Sequence, residues 1–305
     1  MLTLQKIKTV ACQVGFDDCG VSEARPLPDI ARRFDSWIAE GGHATMSFLE
    51  RYRDMRFDPA MLLPGARSVI SVVRGYRPSR LMLGDKKIAQ YAYADDYHGL
   101  MKSMLYKMCA MLLEADDFEY KVCVDSAPIC EKVWAAEAGL GWIGNNCLLI
   151  HPRLGSYCNV GEIVVTARVD AYSRPIENRC GECRRCVEAC PNHALSQCGT
   201  FPRLEASLCT AYNTIENRAP SIDEEGKPRR HSGGYVFGCD CCQLACPQNV
   251  HAEVSRELSA DQLAELDALA GADELTFRRK TKHSSLSRIS FAQWQRNISW
   301  SEGSS

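Results

Sequence analysis

Apolar positions over the first 170 residues follow two periods. Residues 30–40 (IARRFDSWIAE) carry apolar side chains at helical spacing and stop at Gly41-Gly42. Residues 100–113 (LMKSMLYKMCAMLL) repeat that spacing, with methionines suited to filling a core. Residues 68–73, after Pro64-Gly65, are short and β-branched, as a buried strand is. Residues 120–124 and 162–169 read as strands on either side of a helix over 131–138. This alternation predicts a layered α/β (α+β) domain with a mixed sheet over residues 1–170. From Cys180 to about Val250 the periodicity gives way to loops, which predicts a small metal-organised domain over 171–255. Within it, residues 219–234 (APSIDEEGKPRRHSGG) read as an exposed loop. A third segment, 256–305, opens with an amphipathic helix over 258–269 and continues into a basic stretch.

Charge adds a local feature to this outline. The chain has 36 Lys+Arg against 38 Asp+Glu, which excludes a uniformly basic surface. Yet residues 275–301 carry Arg278, Arg279, Lys280, Lys282, Arg288 and Arg296 and no acidic residue. Apolar runs such as 108–113 fall short of the ~20 residues that cross a bilayer. The start, MLTLQKIKTV, lacks a secretory pattern, so a cytoplasmic protein without a membrane is expected.

Cysteine usage changes the picture most, with 17 in the chain. In a reducing compartment thiols serve as metal ligands or catalysts rather than disulfides. Cys180-x2-Cys183-x2-Cys186-x3-Cys190-Pro191 has the spacing in which three thiolates bind one cubane and the fourth binds another. Cys239-x2-Cys242-x3-Cys246-Pro247 supplies the other half. Exchange between the halves assigns Cys180, Cys183, Cys186 and Cys246 to the first 4Fe-4S cluster. Cys190, Cys239 and Cys242 go to the second, with Cys209 in LEASLCTAYNTIE as the best fourth ligand. Zinc favours separated ligand pairs and fits this run poorly. Cys241 and Cys198 read as spectators, and the dispersed cysteines as small core residues. Two clusters form a path for single electrons, which calls for an external low-potential donor and an acceptor held by the first domain.

Three stretches carry a resemblance: Val124-Asp-Ser-Ala-Pro128, Glu131-Lys132-x-Trp134-Ala135, and Ala138-Gly-Leu-Gly-Trp-Ile-Gly-Asn145. Followed by the two-cluster region, they resemble the epoxyqueuosine reductase family. The likeness extends to Gly15-Phe-Asp-x-Cys-Gly-Val21, Asp58-Pro59, Tyr91-Ala-Tyr93, Asp96-Tyr-His98, Gly238-Cys-Asp240 and Arg296-Asn297. It implies a nitroreductase-like cobalamin-binding domain followed by a ferredoxin-like double-cluster domain. It also implies the last step of queuosine biosynthesis, reduction of epoxyqueuosine to queuosine at the wobble position of tRNA. Asp125 matches the family's proton donor, and Arg56, Asp125, Lys132 and Ala211 are carried over as cobalamin contacts. Tyr97 and His98 are substrate-pocket candidates. Base-off cobalamin without a protein axial ligand is expected, with His98 as the alternative. Lys132 stands where arginine is common, Asn145 where lysine is usual, Ala94 for a glycine and Gln90 for an arginine.

Removing an epoxide oxygen as water takes two electrons and two protons. Asp125 would then need its proton part of the time near neutral pH, which burial against an apolar corrin face favours. The competing reading makes Asp125 a cap of the helix after Pro128. The basic C-terminal residues, interleaved with Phe277, Phe291 and Trp294, suit stacking and phosphate contacts on an anticodon loop. The bland alternative is a solvated tail. Two other functions stay open: a corrinoid reductase acting on a small molecule, and a non-catalytic ferredoxin-like electron carrier. A monomer is expected.

Overall fold

The computed structural model describes residues 2–77, 82–83, 86–93, 95–199, 201–223, 230–254, 264, 266 and 268–303. Helix α1 (Leu4–Val14) starts where Thr3 Oγ1 accepts the Lys6 N–H at 3.2 Å. It stops at Gly15, whose φ of 103° is open to glycine at no steric cost. Then follow β1 (Asp18–Glu23), α2 (Pro28–Ala39), β2 (Ser68–Gly75), β3 (Lys86–Ile88) and α3 (Tyr97–Leu113). After them come β4 (Tyr120–Cys123), α4 (Glu131–Glu137) and β5 (Cys158–Val165).

The central sheet runs β1-β2-β5-β4 and is antiparallel throughout. Helices α1 and α3 cover one face, where Ile70, Val72, Ile163 and Val165 meet Met101, Leu105 and Met108. The other face packs Val69, Cys123 and Val164 against Trp134 of α4, and Val73 and Val160 against Ala135. Double coverage explains the nearly continuous apolar run of β2. Met101 and Met108 are fully buried, as core filler should be. The strand expected over 162–169 begins four residues earlier and ends at Val165. Beyond it Val169 leaves the ladder to form a parallel bridge with Leu2. Gly20 lets α4 approach β1, since a Cβ there would lie 1.9 Å from the Ala138 carbonyl oxygen.

The second half contributes α5 (Thr210–Ile215), β6 (Tyr235–Phe237), α6 (Glu274–Thr281) and α7 (Phe291–Glu302). Asp273 caps α6, and Ser290 with Gln293 forms a capping box on α7. Positions 170 and 255 do not divide independent cores. Strand β6 pairs in parallel with β3, Tyr235 opposite Lys87 and Phe237 opposite Ile88. One hydrophobic cluster combines Ile88 and Tyr93 with Val236 and Phe237, and with Phe277, Leu286 and Trp294. The helix expected over 258–269 falls largely outside the described residues, as does 224–229 of the loop expected over 219–234. No helix among the described residues is long and apolar enough to cross a membrane.

Candidate active site

After β4 the chain turns sharply at Asp125, which adopts a left-handed φ of 52°. Helix α4 begins only at Glu131, and its N-cap, Cys130, gives no side-chain cap. Asp125 is therefore not the helix cap that its sequence setting allowed. Its backbone N–H donates to Glu131 Oε1, and its Oδ2 lies 2.9 Å from His98 Nε2. Asp96 places that imidazole: its carboxylate caps α3 by accepting the His98 N–H at 3.2 Å, and also bonds His98 Nδ1. Tyr97 stacks on the same ring, with centroids 4.2 Å apart.

This packing decides where the proton sits. The His98 hydrogen bond holds the Asp125 carboxyl below its ordinary range against the opposing effect of burial, and Arg288 adds to it. The Asp125 hydrogen bond in turn raises His98 despite desolvation, with Asp96 assisting. In the protein alone the charge-assisted hydrogen bond from His98 outweighs desolvation and favours the ionised Asp125 carboxyl, the opposite direction to the one expected from burial against a corrin face. Both shifts favour a proton on His98 over one on Asp125.

Asp125 opens onto a cavity of about 490 Å³. Tyr97, Lys132, Ala211 and Arg288 line it with Asp125, as do apolar groups including Leu148, Leu149, Val160 and Ile215. Cys190, Cys209, Cys239 and Cys242 line the same cavity. So does Cys241, which the sequence suggested was a bystander. Cys180, Cys183, Cys186 and Cys246 gather at a separate small cavity beside Asn145 and Arg179. Burial and then Cys246, Cys180 and Cys183 push the Cys186 thiol up to about 11. Four thiols at the small cavity and at least four at the large one suit iron–sulfur clusters, in which coordination deprotonates the sulfur.

The expected contacts divide between the large cavity and other parts of the fold. Arg56 donates to the Leu49 and Phe48 carbonyls at 3.1 and 3.0 Å and does not line the large cavity. Lys132 lines it while donating to the Cys147 carbonyl at 3.0 Å. Asn145, in place of a lysine, donates to the Cys183 carbonyl at 2.8 Å and so braces the first cysteine loop. Arg296 is spent internally, on the carbonyls of Asn213, Asn217 and Ala219 at 2.6–2.8 Å. Phe277 and Trp294 are buried against each other, centroids 5.3 Å apart, so neither can stack on a base. Arg278, Arg279, Lys282 and Arg288 are exposed and Lys280 half-buried; Arg278 pairs with Glu274 at 2.6 Å and Arg288 with Glu216 at 2.5 Å. Sequence reasoning did not single out Asp96 as a partner of His98, nor Glu131 and Arg288 as neighbours of Asp125. Only the Asp-Tyr-His triplet hinted at the first.

Residues 56–126 match the family described as "Epoxyqueuosine reductase QueG, DUF1730", and 179–249 match the "4Fe-4S double cluster binding domain". An epoxyqueuosine reductase of Cyclobacterium marinum is 35% identical over 98% of this chain and 97% of its own length. One from Gloeobacter violaceus is 37% identical over 99% and 97%. The chain belongs to the epoxyqueuosine reductase family. Members are oxidoreductases, and this one carries a double-cluster 4Fe-4S domain. The epoxyqueuosine reductase of Streptococcus thermophilus superposes with a TM-score of 0.84 at 25% identity, over 98% of this chain and 80% of that one. A family structure solved with an epoxyqueuosine-modified tRNA-Tyr stem loop has a TM-score of 0.82 at 24% identity, over 98% and 80%.

Proposed function

We propose that this chain reduces epoxyqueuosine to queuosine in tRNA, with electrons passed through two 4Fe-4S clusters to cobalamin and Asp125 as proton donor. The observation that carries the reading is one cavity shared by Asp125 and the cysteines of the second cluster. Its apolar walls suit a corrin ring, and the cysteines that line it suit a cluster. Cobalamin bound there would supply a strongly reducing, nucleophilic metal centre.

The reaction consumes two electrons and two protons, breaks two C–O bonds, forms a C=C bond and releases water. Asp125 faces the space where the leaving oxygen would sit. His98 Nε2 lies 2.9 Å from the Asp125 carboxylate, and Asp96 on its far side favours the charged imidazole. We read His98 as the reservoir that reprotonates Asp125, which touches substrate. Tyr97 orients the imidazole, and Lys132 and Ala211 line the cofactor side. Cys180, Cys183, Cys186 and Cys246 hold the first cluster; Cys190, Cys209, Cys239 and Cys242 hold the second. Arg278, Arg279, Lys280, Lys282 and Arg288 are the candidates for tRNA phosphates, whereas Arg296 is withdrawn from that set.

The test is anaerobic turnover of epoxyqueuosine-bearing tRNA by cluster-reconstituted protein, with and without cobalamin, read by nucleoside mass spectrometry. Queuosine formed only with cobalamin is the expected result. Cobalamin binding without queuosine would favour a small-molecule corrinoid reductase. No binding at all would leave an electron carrier.

A further inference from the structure

Beneath the Asp125 loop the protein buries ionisable groups that the reading above leaves idle. Glu162, in the middle of β5, is fully buried, and neither of its carboxyl oxygens has a hydrogen-bond partner among the described residues. Its cross-strand neighbours are Ser71 of β2 and Cys123 of β4. Strand alternation puts all three on the sheet face that carries α4. There Ser71 Oγ and Trp134 Nε1 are equally buried and equally unpartnered among the described residues. Native interiors leave few such atoms, and each calls for an explanation. At the N-terminus of α4 sits Glu131, the acceptor of the Asp125 N–H.

An unpaired carboxylate at Glu162 is too costly to keep, so the group neutralises. Burial pushes Glu162 far up, and Glu131 adds repulsion. Burial also lifts Glu131 to about 8, with the Asp125 N–H, Lys132 and His98 pulling down and the Asp125 charge pushing up. The remaining titratable groups nearby, Cys123, Cys130 and Tyr97, are raised by burial and stay neutral.

The geometry points to Glu131 as the positioning residue of Asp125, with the buried carboxyl of Glu162, unpartnered among the described residues, on the sheet face that carries α4. This rests on the reading of Asp125 as proton donor. Glu131 fixes the left-handed turn through the backbone N–H, and its charge tunes how firmly the Asp125–His98 pair keeps its proton. The sign is definite: an anionic Glu131 favours the protonated pair, so its ionisation delays proton loss as pH rises. An acid serving only the helix dipole would do neither.

The experiment compares Glu131→Gln, Glu131→Ala, Glu162→Gln and Asp125→Asn as cobalamin-loaded, cluster-reconstituted enzymes, in single-turnover and steady-state assays from about pH 6 to about pH 10. Glu131→Gln keeps an acceptor but no charge. It should retain kcat within about threefold at pH 7 while its alkaline limb moves to lower pH. Glu131→Ala loses the acceptor, and kcat should fall more than about tenfold with KM for tRNA within about twofold and cluster absorbance unchanged. Glu162→Gln, a neutral isostere, should match the parent at pH 7. Wild-type kcat in Glu131→Ala, an unmoved alkaline limb in Glu131→Gln, or loss of activity in a folded Glu162→Gln each overturns the inference. Should Glu131→Ala not fold, the Glu131→Gln profile decides. An active Asp125→Asn would instead refute the donor reading itself, whereas an inactive one beside a wild-type-like Glu131→Ala refutes the positioning role alone.

Discussion

His98 is held between two carboxylates, and that arrangement has consequences for pH. Its pKa is raised, so its contribution to stability is complete below the unfolded value of about 6.5 and is lost as pH rises through the folded value. Asp125 is lowered, so its share is present above about 3.9 and disappears as pH falls through its depressed value. The ion pair therefore exists between the lowered Asp125 value and the raised His98 value, and kcat should decline as pH rises through the latter. We expect His98→Asn to cut kcat by about 10²-fold at neutral pH and to remove that alkaline step, as a pH–rate profile would record. Asp125 was legible in the sequence, because the Asp-Ser-Ala-Pro stretch resembles a known motif. Its protonation was not: it depends on a histidine 27 positions away, brought to 2.9 Å by a helix cap. Composition and spacing carry no information about such a contact.

Elements with a strong local period were read within a few residues: α2, β2, α3 and α4 occupy the expected stretches. Strand β5 was misplaced because its first residues, Cys158 and Asn159, lack an apolar signature and gain their place only by pairing with Gly75 and Arg74. The contact of α4 with β1 is equally nonlocal and very tight. Gly20→Ala would drive a methyl into the Ala138 carbonyl, and we expect a loss of about 3 kcal/mol or more, measurable as a lower denaturation midpoint. Helix α7 teaches a related lesson, because a basic run says nothing about which cation faces inward. Arg296→Ala strands the carbonyls of Asn213, Asn217 and Ala219 and should cost about 2–4 kcal/mol. The salt dependence of tRNA binding should remain as in the parent, which would separate this arginine from its exposed neighbours.

Across the whole molecule the net charge of -2 conceals a basic patch that the fold leaves facing outward on and after α6. Reversing Arg279 and Lys282, both exposed, should weaken tRNA binding and reduce the slope of log affinity against log salt by roughly one per lost phosphate contact. Filter binding at several ionic strengths measures this, and an unchanged slope would clear α6 of the role. The cysteine ligand spacing was plain in the sequence because each motif is compact. The sharing of one hydrophobic cluster by β3, β6 and α7 was invisible, since pairing of distant segments leaves no local mark.

That shared cluster also sets a timetable for biogenesis. A ribosome adding roughly 5–20 residues per second takes roughly 10–40 s to travel from Ile88 to Trp294. During that interval β3 meets its partner strands, Met82–Leu83 and then β6, but the apolar cluster around Ile88 lacks the cover of Phe277, Leu286 and Trp294. Both cysteine motifs emerge before Trp294 does, so iron and sulfide would meet a nascent chain whose scaffold is unfinished. Cluster insertion is accordingly expected to follow release, and a chain cut short before α7 should be purified colourless.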